Sequence, residues 1–76
     1  MNIERARKLK QGSYVHVPAD RGEPAYIGVV DDPLFVQNAE TAEPVTQHGV
    51  QFFWVQVKKS GWNGGAKSVW PTNRLG

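Results

Sequence analysis

The strongest constraint on this chain is the stretch Lys67-Ser68-Val69-Trp70-Pro71-Thr72-Asn73-Arg74-Leu75. An extended run meets Pro71, which has no N–H to give to a strand ladder. Beyond the proline the chain reads as one tight helical turn closing on apolar Leu75. Upstream, Val50 to Lys58 is the clearest strand. Phe53, Val55 and Val57 form one face, and Val50, Phe52, Trp54 and Gln56 the other. A strand apolar on both faces needs cover on both. The two segments together predict a small, tightly curved β-barrel.

With 76 residues the chain makes one domain, 1–76, burying only about 60–65% of the surface its unfolded form exposes. It has no room for a deep pocket, so catalysis would need a site shared between chains. There are no cysteines, hence no disulfide and no thiolate zinc site. That composition suits a reducing, cytoplasmic setting. No apolar run approaches the roughly 18–20 residues of a membrane helix, and no apolar segment of a signal peptide follows the charged N-terminus. Net charge is only +2. The cations are clustered, however: Arg5, Arg7, Lys8 and Lys10 at one end, then Lys58, Lys59, Lys67 and Arg74, with acids Asp31, Asp32, Glu40 and Glu43 between. Such asymmetry is compatible with a basic face, and equally with a solvated surface of mixed charge.

Asn2 is placed to cap a helix whose Ile3, Ala6 and Leu9 share one face, with Gly12 as its stop. A helical extension over 1–11, too short to stand alone, must therefore dock on the barrel. Ser13 to Pro18 alternates as a strand, and the group Ala19 to Pro24 is a loop. Ala25 to Asp31 is a second strand, with Ile27 and Val29 expected in the core and Gly28 marking a bulge or sharp bend. Asp31-Asp32-Pro33 turns the chain. Leu34 to Val36 reads as a short strand, Asn38 to Gly49 as a loop or irregular hairpin, Ser60 to Gly65 as a glycine-rich hairpin tip, and Ala66 to Trp70 as the last main strand. The core expected from these patterns is Val15, Val17, Ile27, Val29, Phe53, Val55, Val57, Val69, Trp70 and Leu75.

Ser68 to Leu75 resembles the closing motif of SH3 domains, in which a strand runs into Pro-Ser-Asn-Tyr and an apolar residue. Phe53-Trp54-Val55 is similar to the aromatic central strand of that family, and Leu9 to Val15 to the glycine-then-strand opening of many bacterial SH3-like barrels. The resemblance implies an all-β, five-stranded SH3-like barrel with a short N-terminal helix and a C-terminal 3-10 turn. It also implies a proline-rich peptide groove, with Trp54 and Pro71 as groove residues and Asp20 and Glu23 in the acidic loop. This sequence departs from that pattern: Arg74 stands where a groove tyrosine is expected, and Tyr14-Val15-His16-Val17 lacks the tyrosine-rich opening. A more remote likeness is to the short SH3-like dihydrofolate reductases carried on plasmids, which share one active site among four chains. In Lys67-Ser68-Val69-Trp70-Pro71, Ser68 replaces their glutamine and Trp70 their tyrosine, the residues that would meet substrate and cofactor.

Catalytic chemistry finds no other foothold. His16 and His48 are isolated and no metal-ligand spacing is present. The glycines lack the downstream Lys-Ser/Thr of a phosphate loop, and no nucleophile–base pair is legible. The expectation is a non-enzymatic binding module with no cofactor and no metal. Its first candidate ligand is nucleic acid, stacked on exposed aromatics beside phosphate-neutralising cations. The site residues for that role are Trp54, Lys58, Lys59, Trp62, Lys67 and Arg74, with Tyr14 and Tyr26 as further aromatics. The alternative is a protein-interaction or homodimerising module that uses the same aromatics as anchors.

Overall fold

The computed structural model describes residues 1–34, 41–61 and 67–76. A short helix, α1 (Ile3–Arg7), precedes six strands: β1 (Tyr14–Val17), β2 (Tyr26–Asp32), β3 (Val45–Gln47), β4 (Val50–Phe52), β5 (Trp54–Lys59) and β6 (Ser68–Pro71). A 3-10 helix, Thr72–Arg74, comes directly after β6. The strands form two antiparallel sheets, a four-stranded one in the order β1-β2-β5-β6 and a two-stranded one of β3 and β4. The domain is thus mostly β, with six strands rather than five, and among the described residues the sheets do not close into a barrel.

Asn2 caps α1 as its side chain suggests, Oδ1 accepting the Arg5 N–H at 2.8 Å. The helix is shorter than the extension expected over 1–11. It ends at Arg7, where Lys8 N–H to Arg5 O and Leu9 N–H to Ala6 O (each 3.1 Å) tighten the last turn. Gly12, at φ 93°, has already left the helix, and its N–H donates to Val30 O at 2.8 Å. Ala6 is fully buried, and Ile3 and Leu9 pack at the core margins, so the expected face does dock. The Met1 amino group donates to Thr72 O and Leu75 O, tying the start of α1 to the 3-10 helix.

Val15, Val17, Val30, Val55, Val57 and Leu75 make the main core, with Trp70, Tyr26, Leu9 and Met1 packed around it. A second cluster, Ala6, Ala42 and Phe53, lies beneath α1. Three expected core residues fall elsewhere. Ile27 and Val69 are exposed and Val29 is only half-buried. In β2 the inward set is Tyr26, Gly28 and Val30, opposite the assignment read from the sequence. Gly28 decides the parity: a Cβ there would lie 2.3 Å from Val57 Cγ1 and 3.0 Å from Val17 Cγ2. Only a bare α-carbon lets β2 pass that close to the core valines. The bulge expected at Gly28 occurs instead between Val30 and Asp32.

The long strand expected over Val50–Lys58 is broken at Phe53. Phe52 and Phe53 are both buried, which no single two-sided strand facing one core allows. Phe53 leaves the ladder and bonds the 3-10 helix instead. Its N–H donates to the buried Thr72 Oγ1 at 3.0 Å, and its carbonyl accepts the Thr72 N–H at 2.9 Å. The corner carries the chain from the small sheet into the large one. The segment read as a loop or irregular hairpin contains β3, which pairs with β4 across His48 (φ 52°) and Gly49 (φ 77°), the left-handed pair a tight hairpin requires. Leu34, at φ 59°, is not extended; the rest of the strand expected at 34–36 lies outside the described residues, as does most of the hairpin tip after Ser60.

Thr72 gives the corner a direct test. Thr72→Val keeps the volume and strands the buried Phe53 N–H, so unfolding free energy falls by about 1–3 kcal/mol. Thr72→Ser falls less. Urea midpoints measure both, and a valine variant as stable as the wild type would contradict this role.

Candidate functional site

The residues singled out for binding do not converge on one spot. Lys58 and Lys67 do meet: their Nζ atoms lie 4.0 and 2.9 Å from the two carboxylate oxygens of Asp31. Lys59 goes to the opposite side of the sheet, its Nζ 5.3 Å from the Tyr26 ring centre. The Arg74 guanidinium lies 5.2 Å from the Trp70 ring centre. Trp54 stands on the outer face, its ring edge-on to Phe52 at 5.2 Å. Trp62 lies outside the described residues. Lys58, Lys67 and Trp54 therefore share the outer face of the large sheet, while Lys59 and Arg74 belong to the other side and the sheet's end.

Strand register lays out that outer face. Tyr14, Val29 and Lys58 are cross-strand neighbours in one row, and His16 sits beside Ile27 in the next. Beyond the bulge, Asp32, Gln56 and Val69 form a row, and Trp54 pairs with Pro71. Four large apolar side chains here are open to solvent: Tyr14 is 68% exposed, Val69 53%, Ile27 50% and Trp54 40%. They sit at two diagonal corners, Tyr14, Ile27 and Val29 at one and Val69, Trp54 and Pro71 at the other. A polar band of Lys58, Lys67, Asp31, Asp32 and Gln56 runs between them.

Asp31 organises the band. The bulge after Val30 turns it toward both lysines. The Lys67 hydrogen bond, seconded by the charges of Lys67 and Lys58, holds its carboxyl below the ordinary value of 3.8. A depressed folded pKa means stability that is present above the unfolded value and is lost as pH falls through the folded one. Asp31→Asn is therefore expected to melt below the wild type at about pH 6, with the gap shrinking as the solution is acidified. The gap is small, because the pair is at the surface. A constant gap across thermal melts would contradict the assignment.

On the far side a shallow groove separates the β1–β2 loop from β6. It is lined by Asp20, Arg21, Glu23, Tyr26, Trp70 and Pro71 among others. Asp20 and Glu23 close the loop by reciprocal backbone bonds of 3.1 and 2.9 Å, with Arg21 and Gly22 at positive φ. The acidic loop residues Asp20 and Glu23 thus line the same groove as Trp70. Both groove aromatics already have a cation over the ring. Among the described residues, no group of three or more His, Asp or Glu is arranged to hold a metal. Comparison with protein-family models, curated proteins and solved structures found no match for this chain.

Sequence reasoning missed Asp31 as a site residue, and took Ile27, Val29 and Val69 for core. Asp31 reads locally as a turn acid. Only the register shows that two lysines from other strands reach it.

Proposed function

We propose that the chain is a non-catalytic binding module that docks a protein through the outer face of its four-stranded sheet. One observation carries this: Tyr14, Ile27, Trp54 and Val69 are held in the open by a strand register that gives them no core to enter. Large apolar side chains left exposed in two clusters around a polar band mark an interaction site. Tyrosine and tryptophan at opposite corners supply the rigid anchors that protein contacts favour.

A nucleic-acid role has its support in Tyr14 and Trp54 beside Lys58 and Lys67. On the same face, however, Asp31 and Asp32 oppose those two lysines. A phosphate backbone is held by net positive charge, and this band offers none. The aliphatic Ile27, Val29 and Val69 fill positions where stacking platforms place rings. As for fold family, we read the domain as an SH3-like barrel variant. The 3-10 helix after β6 supports this, as do two 2.8–2.9 Å backbone bonds that join Gly76 to His16 on the free edge of β1.

Site-directed photo-cross-linking tests the docking face. A benzophenone side chain at position 69 should give one discrete polypeptide adduct in cells expressing the chain. The same probe at position 47, on β3, should give none, and adding Ile27→Lys should abolish the first. Adducts to nucleic acid, or equal yields from both positions, would refute the proposal.

A further inference from the structure

We infer that the partner covering this face is a second copy of the chain, related by a two-fold axis through the polar band. The inference rests on the protein-docking reading above and adds the identity of the occupant. Charge complementarity carries it. The band holds Lys58 and Lys67 against Asp31 and Asp32, so its charges cancel. A surface of one sign repels its own copy; a balanced one meets no net repulsion. Lys67 and Lys58 both point at Asp31 within one chain, and the same ions can be shared across a two-fold axis, where Asp31 of each copy faces the lysines of the other.

The apolar pattern has the same symmetry. An isologous contact needs a patch that complements itself. Two apolar corners flanking a central polar band do so, because rotation about the centre lays each corner on an apolar corner of the other copy. Each corner carries one aromatic anchor, Tyr14 or Trp54, beside aliphatic Ile27 and Val29 or Val69. Two such sheets would pack face to face about 10 Å apart, as the halves of a β-sandwich do.

Charge-swapped variants test this in analytical ultracentrifugation at rising concentration. The wild-type chain should approach twice its 8.5 kDa mass. Asp31→Lys leaves three lysines against one aspartate in the band, and Lys58→Asp one lysine against three aspartates; each alone should stay at the single-chain mass. Mixed in equal amounts, the two should recover the doubled mass, which no loss of folding can imitate. Val69→Lys, at an apolar corner, should stay single while its circular dichroism matches the wild type. The inference is overturned if the wild type remains single up to about millimolar concentration, where even the weakest specific contacts form, or if Asp31→Lys associates as the wild type does. A single-mass wild type that still cross-links from position 69 to a polypeptide of another mass would remove self-association and leave protein docking standing. Loss of both would remove both.

Discussion

Truncating Phe53 to alanine should lower the unfolding free energy by about 3–5 kcal/mol, the usual cost of deleting a buried phenylalanine. The ring is 2% exposed and forms the floor under α1, against Ala6 and Ala42, with Met1 and Ile3 at its margin. Arg7 holds its guanidinium 5.3 Å from the ring centre and donates to Ala42 O at 2.7 Å. Removing the ring therefore also unseats the contact that joins α1 to the segment before β3. Small domains keep about 5–15 kcal/mol in total, so the variant should unfold in far less urea. Val50→Ala, at a position 43% exposed, should cost within about 0.5 kcal/mol. A Phe53→Ala midpoint close to that of Val50→Ala would show that α1 does not depend on this cluster.

Adding a single methyl at Gly28 should cost about 1–3 kcal/mol by overpacking. The new Cβ would meet Val57 Cγ1 at 2.3 Å, and neither Val57 nor Val17 has room to yield. Both valines are fully buried, and β-branching leaves each few alternative rotamers. The remedy is specific. Gly28→Ala combined with Val57→Ala should be more stable than the sum of the two single losses allows, because the second change vacates the space the first needs. Strict additivity in denaturant titrations would mean that β2 shifts bodily instead.

These two sites also show what could be read from the chain beforehand. The capped helix, the strand through Val55 and Val57, and the turn after Pro71 are local patterns: a cap residue, an alternation, a missing N–H. Each is written within a few residues. The parity of β2 is not, because Tyr26, Ile27, Val29 and Val30 are apolar on both sides. What decides it is the close approach of Val57 from another strand, a fact that Gly28 records without announcing. The break at Phe53 is likewise tertiary, since its hydrogen-bond partner Thr72 lies 19 residues on. On the outer face, the cations Lys58 and Lys67 and the aromatic Trp54 were singled out from the sequence, and the strand register sets all three on that face. The carboxylate of Asp31 that changes the meaning of those cations was not, because a register bulge delivers it. The segment holding β3 stayed open between a loop and an irregular hairpin because a three-residue strand among polar residues carries almost no period.

The central claim is that the outer face of the four-stranded sheet is covered when the protein is at work. Carbene footprinting measures this residue by residue. Labelling at Tyr14, Ile27, Trp54 and Val69 should fall several-fold in expressing cells, or in concentrated solution, relative to dilute protein. Thr46, Gln47 and Val50, exposed on the β3–β4 hairpin, should label alike in every condition. Equal labelling of the outer face under all conditions, or protection confined to the hairpin, would contradict the claim.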